Sequence, residues 1–358
     1  MKLRAKKKMF SSLLHTNEFT LLICGFSFLL LLGTVSVQAA DLSQNMAECA
    51  AIENDGERLK CYDQLVGRNS RKMEEVTESK LSESTEKTPK EKEEESYFSR
   101  LWDLDRETRG GKFAIRPHRS NYILPLTYNF SPNAAAVQED DPDKDVMRTE
   151  VKFQLSVKVK LLEDILNKDM DLWFAYTQQS FWQLYNFDDS SPFRETNYEP
   201  ELLLNFRTRF DILGLTGRFF NVGMNHQSNG QSEPLSRSWN RIVGSVGLER
   251  NRFSLLVKGW YRIPESSKED DNPDIEKYLG YGEIWGYYFL KEHRFGAMLR
   301  NNFSVHHNRG ALQVEWSFPL LEWVSGYVQY FLGYGESLLD YDHSVNRIGV
   351  GFIFKEWN

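Results

Sequence analysis

The chain has 358 residues, 41% of them hydrophobic and 14% aromatic, with a formal net charge of −7. So mild a negative charge argues against a nucleic-acid partner. The mean hydropathy of −0.53 excludes a bundle of membrane-spanning helices but leaves a membrane barrel open, because the apolar and polar faces of alternating strands cancel in the average.

Residues 1–40 predict a signal peptide. Lys2, Arg4, Lys6, Lys7 and Lys8 make a basic start. Residues 19–32 form an apolar stretch too short for a comfortable spanning helix, and Val37 with Ala39 or Ala40 supplies a small-residue cleavage site. Residues 41–112 then form an N-terminal extension, expected in the periplasm. Its first part, 41–68, reads as a small helical element with Cys49 and Cys61. In an oxidising compartment the two can pair. One straight helix would hold them roughly 18 Å apart, so pairing needs a chain reversal, which Asn54-Asp55-Gly56 offers. Residues 69–97 are dominated by Lys, Glu, Ser and Thr, cannot bury enough surface to fold alone, and read as a charged, flexible linker.

From residue 113 to residue 358 the pattern is alternation. Val151, Phe153, Leu155, Val157, Val159 and Leu161 interleave with Glu150, Lys152, Gln154, Ser156, Lys158 and Lys160, the period of a strand with one wet and one greasy face. Leu202, Leu204 and Phe206 repeat it, as do Leu312, Val314 and Trp316, and finally Ile348, Val350, Phe352 and Phe354. About twelve such strands fit between Asn121 and the C-terminus, each long enough to cross a bilayer at a tilt. A soluble sandwich would alternate too. Connection length separates the two: short turns near 250–252, 291–293 and 320–323 alternate with long ones near 131–148, 184–198, 229–237, 264–275 and 335–344. That order predicts an all-β, twelve-stranded antiparallel transmembrane barrel with its long loops at one end. Gly351-Phe352-Ile353-Phe354 with Trp357 resembles a terminal barrel-assembly signal.

One stretch carries chemistry: Asn225-His226-Gln227-Ser228-Asn229-Gly230, followed by Ser236-Arg237-Ser238-Trp239-Asn240-Arg241. By strand period Phe220, Val222, Met224, His226 and Ser228 share the apolar, lipid-side face. A hairpin centred near Glu233 pairs position 226 with position 240 and turns both the same way. Polar groups facing lipid are a functional hypothesis by default. Ser228 is the candidate nucleophile, His226 its base, and Asn240 the group that orients the imidazole. Gln178, on the apolar face with Leu172, Phe174 and Tyr176, is a lone amide in need of a partner.

These segments resemble the outer-membrane phospholipase A family. Further motifs carry the resemblance: Tyr176-Thr177-Gln178, the run Ser190-Ser191-Pro192-Phe193-Arg194-Glu195-Thr196-Asn197-Tyr198-Glu199-Pro200, Asp271-Asn272-Pro273-Asp274, and Gly333-Tyr334-Gly335-Glu336-Ser337-Leu338. It covers residues 113–358 and leaves 41–112 without a counterpart. The resemblance implies a calcium-dependent enzyme of a Gram-negative-type outer membrane, active at the outer leaflet as a homodimer. It would hydrolyse sn-1 and sn-2 esters of phospholipids and lysophospholipids. Ser228, His226 and Asn240 fall on the family's triad, Gly230 on its oxyanion amide, assisted by calcium-bound water, and Ser190, Gln231, Ser236 and Asp271 on its calcium positions. Gln178 falls on the residue that bonds across the dimer. Gln231 stands where the family has Arg, and Glu233 where it has Asp. Two rivals are a lipid A deacylase-type esterase, which shares a His-x-Ser-Asn strand motif, and a non-catalytic barrel or channel.

Overall fold

Alternating side chains from Tyr122 onward fold into long antiparallel strands, numbered in chain order after a short first one: β1 (Ile115–Pro117), β2 (Tyr122–Asn129), β3 (Thr149–Leu162), β4 (Met170–Trp182), β5 (Phe193–Ile212), β6 (Leu215–Ser228), β7 (Ser238–Arg250), β8 (Phe253–Arg262), β9 (Gly282–Leu290), β10 (His293–Asn301), β11 (Gly310–Pro319), β12 (Val324–Tyr334) and β13 (Ser344–Phe354). The structure is a computed structural model and describes residues 96–106, 109–139 and 141–354, with 49–52, 54, 56–58 and 61. The signal peptide, most of the charged linker and Trp357 lie outside the described residues. From β2 to β13 each strand pairs with its sequence neighbours, and β13 pairs back onto β2. Twelve strands thus close into a barrel among the described residues, as the alternation predicts. The short β1, unforeseen, extends the pairing along β3.

Burial decides between membrane barrel and sandwich. On β3 the polar set is the buried one: Glu150, Lys152, Ser156, Lys158 and Lys160 are all shielded, while Leu155 is 53% exposed and Val157 39%. A soluble sandwich requires the reverse. The outward face is apolar on other strands too, at Phe174, Leu202, Met224, Ile242, Val314 and Ile348, as a surface solvated by lipid must be.

Buried charges must be paired to be tolerated, and the interior supplies partners. Glu150 holds Arg194 and Arg347, both at 2.6 Å, and Lys152 reaches Glu336 at 2.9 Å. Lys258 binds Glu201 at 3.0 Å, and Arg294 binds Glu315 at 3.1 Å. A cavity of about 200 Å³ remains. Cross-linked side chains therefore fill the lumen.

Among the described residues from 96 onward, three α-helices and one 3-10 turn (Ile165–Asn167) accompany the strands: α1 (Tyr97–Trp102), α2 (Ala134–Gln138) and α3 (Glu276–Leu279). Helix α1 departs from the sequence reading, which assigns residues up to 112 to the extension. Ser96 caps it, its Oγ accepting from the Ser99 amide. Phe98 and Trp102 pack against the inward-facing Trp173 and Phe219, and Tyr97 against Tyr287 and Phe289. Lys158 Nζ lies 3.7 Å from the Trp102 ring centroid, and Lys160 Nζ donates to Asp103 Oδ2 at 2.5 Å. The Phe98 amide donates to Glu249, beside the short β7–β8 turn, so α1 closes the lumen at the short-turn end. Six residues behind a charged tract are too few for a helical period to show.

The tight β5–β6 turn places Leu213 and Gly214 at positive φ, the two-residue geometry that matches strand twist. At the other end Ala136, Val137, Val146, Leu235 and Leu339 of three long loops pack together. Two loop boundaries move. Residues 193–198, read as loop, belong to β5, and the β8–β9 connection runs on to 281 through α3. A further long connection, 302–309, joins β10 to β11.

The segment containing Cys49 and Cys61 belongs to a separate unit, residues 1–89. The cysteines form a disulfide with Cα atoms 5.6 Å apart. Asn54 makes the reversal, its Oδ1 accepting from the amides of Gly56 at 2.9 Å and Glu57 at 3.2 Å.

Candidate active site

Strands β6 and β7 pair in the expected register, His226 opposite Asn240 and Ser228 opposite Ser238. Their odd-numbered neighbours point inward and are held there. Asn225 donates to Glu199 at 2.7 Å, and Arg241 Nε donates to Asn225 at 2.9 Å. The Arg241 guanidinium stacks 4.0 Å from the Trp239 ring centroid, and the indole of Trp239 donates to Gln227 at 2.9 Å. This inward lattice leaves the even-numbered residues no choice but the outer face. His226 is exposed there, with Ser228 and Asn240 half-buried.

His226 Nδ1 lies 2.9 Å from Asn240 Oδ1. Ser228 follows two residues along the same face. No hydrogen bond joins its hydroxyl to His226 among the described residues, and such bonds often tighten only when substrate binds. Past Ser228 the chain turns sharply. Buried Asn229 staples the loop, its carboxamide donating to Leu235 O at 2.8 Å and accepting from the Arg237 amide at 3.0 Å. Gly230 has φ +66°, and a Cβ there would lie 3.2 Å from the Tyr198 ring. Both observations favour glycine, and its amide sits two residues from the candidate nucleophile.

Of the four predicted calcium positions, two are bonded to each other: Ser236 Oγ donates to Asp271 Oδ2 at 2.6 Å. Gln231 Nε2 reaches Arg194 O at 3.5 Å, and Ser190 sits at φ +61° in the β4–β5 loop, its amide on Phe187 O. No group of three His, Cys, Asp or Glu side chains is arranged to hold a metal ion among the described residues. The donor set is thus hydroxyl, carbonyl and one carboxylate, all oxygen, which fits a hard cation such as calcium.

Gln178 faces outward on β4, where Tyr176 OH donates to its Oε1 at 3.4 Å and its Nε2 donates to Ser180 at 3.3 Å. These contacts are long and leave bonding capacity unused.

One contact of the site carries no sequence signal. Asn240 Nδ2 donates to Glu265 Oε1 at 2.7 Å. Glu265 belongs to no motif and lies in the β8–β9 loop, where the Ile263 amide donates to Asn240 O at 2.8 Å.

A family model described as Phospholipase A1 matches residues 98–354, a span that takes in most of α1. Similar proteins include a putative phospholipase A1 of Neisseria meningitidis serogroup B, 34% identical over 92% of this chain and 95% of that one. A phospholipase A1 of Escherichia coli K12 is 39% identical over 68% of this chain and 82% of its own. Among solved structures, outer membrane phospholipase A from Escherichia coli superposes with a TM-score of 0.66 at 38% identity, over 72% of this chain and 97% of that one. A Salmonella typhi outer membrane phospholipase, described as a dimer with bound calcium, does so at 0.66 and 38%, over 73% and 97%. The barrel, its outward polar cluster and these likenesses agree: the chain belongs to the outer-membrane phospholipase A family and is a phospholipase, an ester hydrolase of the outer membrane.

Proposed function

We propose that this phospholipase cleaves sn-1 and sn-2 acyl esters of phospholipids and lysophospholipids through a Ser228–His226–Asn240 triad at the outer-leaflet rim of the barrel. The reading rests on the 2.9 Å contact between His226 Nδ1 and Asn240 Oδ1. A carboxamide oxygen only accepts, so Nδ1 carries the proton and Nε2 keeps its lone pair. Nε2 then takes the proton of Ser228 as Oγ attacks the acyl carbonyl. The Gly230 amide donates to the resulting oxyanion. His226 returns the proton to the departing glyceryl oxygen, and water, activated by the same imidazole, releases the fatty acid. Met224 and Ile242 flank the site on the lipid side, a surface along which an acyl chain lies without leaving hydrocarbon.

Ser190, Gln231, Ser236 and Asp271 would hold calcium. When bound, it supplies positive charge near the reacting carbonyl. Gln178 joins two copies of the chain through its spare amide capacity, and the dimer is the active form. The end with long, packed loops faces the cell exterior, and the N-terminal extension lies in the periplasm.

Hydrolysis of a diacylphospholipid in detergent micelles tests this reading. Ser228→Ala should leave a barrel with normal heat-dependent gel mobility and no lipolysis, and a serine-directed lipid phosphonate should label only the wild type. Wild-type-like hydrolysis by Ser228→Ala rejects the nucleophile.

A further inference from the structure

The imidazolium that forms during acyl transfer is usually stabilised by a carboxylate, and Asn240 has no charge to offer. We infer that Glu265 is a positioning residue of this site, which orients the Asn240 carboxamide and sets a negative charge one hydrogen bond behind it. The inference deepens the triad reading and rests on it.

Glu265 is well placed for the role. The Ile263 amide bonds to Asn240 O at 2.8 Å, so the chain leaving β8 stays alongside β7, and Pro264 restricts the step that follows. The loop beyond is clamped from within the barrel: Arg262 holds Asp270 at 2.5 Å and Asn272 O at 3.2 Å. Half-buried Glu265 meets Asn240 Nδ2 through Oε1 at 2.7 Å, and its Oε2 is buried with no hydrogen-bond partner among the described residues. No ion pair neutralises Glu265 among those residues.

A carboxamide can present either its oxygen or its nitrogen to His226. An ionised carboxylate accepts and cannot donate. Glu265 therefore demands the NH₂ of Asn240, which leaves Oδ1, and only Oδ1, for the Nδ1 proton. Linked hydrogen bonds polarise one another, so the charge of Glu265 reaches the imidazolium through the amide.

The test is micellar phospholipid hydrolysis by the full-length protein, with kcat and KM resolved. Glu265→Ala should lower kcat about tenfold with KM within about twofold, since the contact acts on a charge present only in the transition state. Glu265→Gln keeps an acceptor oxygen without the charge and should lose about threefold, and Glu265→Asp should recover part of the Ala loss. Asn240→Asp adds a sharper readout. In the parent chain the new carboxylate meets that of Glu265 and activity collapses. In Glu265→Gln the amide at position 265 donates to the new carboxylate, which remains free to accept from Nδ1, so the double variant should exceed Asn240→Asp alone. A wild-type kcat in Glu265→Ala, or equal impairment by Asn240→Asp in both backgrounds, overturns the inference. Parallel Ser228→Ala and Asn240→Ala variants separate the two readings: their full activity sinks the triad itself, whereas their loss beside inert Glu265 variants sinks only the role of Glu265.

Discussion

Gly230→Ala tests the oxyanion assignment with a magnitude that the local geometry supplies. The residue has φ +66°, and an added Cβ would stand 3.2 Å from Cε2 of Tyr198. Left-handed backbone costs an L-residue about 1–2 kcal/mol. The ring contact is tight rather than overlapping and adds little, so holding the amide in place costs about 2 kcal/mol at most, or about thirtyfold in rate. Complete loss of an oxyanion donor typically costs about 10²–10³ in kcat, so a strained but usable amide falls below that. The assay is steady-state hydrolysis of a short-chain phospholipid in micelles. kcat should fall by up to about thirtyfold while KM holds, because the amide meets charge only in the transition state. Adding Tyr198→Ala removes the ring contact but not the backbone strain, and should recover about twofold at most. Wild-type kcat in Gly230→Ala, or full recovery in the double variant, would refute the reasoning.

Further perturbations probe the remaining elements. Chelation should abolish hydrolysis and added calcium restore it, and Asp271→Asn, which removes the one carboxylate of the set, should raise the calcium needed for half-activity about tenfold. A calcium titration of the purified enzyme reads both. Gln178→Ala should weaken self-association by about 1 kcal/mol, within the range for a hydrogen bond between membrane segments, measured by sedimentation equilibrium in detergent. Trp102→Ala removes a buried ring and the face that Lys158 covers at 3.7 Å, and should destabilise the barrel by about 3–5 kcal/mol. A urea titration in lipid vesicles with an unchanged midpoint would exclude α1 as part of the barrel's core.

Much of the site is legible because strand geometry is arithmetic. Once residues 215–250 read as a hairpin, period 2 puts His226 and Ser228 on one face, and the turn centre at Glu233 brings Asn240 opposite His226, as the register has it. Glu265 escapes that arithmetic. It lies in a connection without period, and only the backbone bond from Ile263 to Asn240 brings it to the carboxamide. Helix α1 escapes for a similar reason, since its aromatic residues show their purpose only when set against Trp173 and Phe219 from distant strands.

The order of residues by itself determined the strand period, the alternation of long and short connections, and which side chains share a face, since each follows from backbone geometry over a few residues. Tertiary structure alone decided which partners let the polar face sit inside. Closure of β13 onto β2 gathers Lys152 with Glu336 and Glu150 with Arg347 across about half the chain's length. Buried charge is tolerated only where a partner of opposite sign arrives, and that arrival is a property of the closed barrel and of no segment within it.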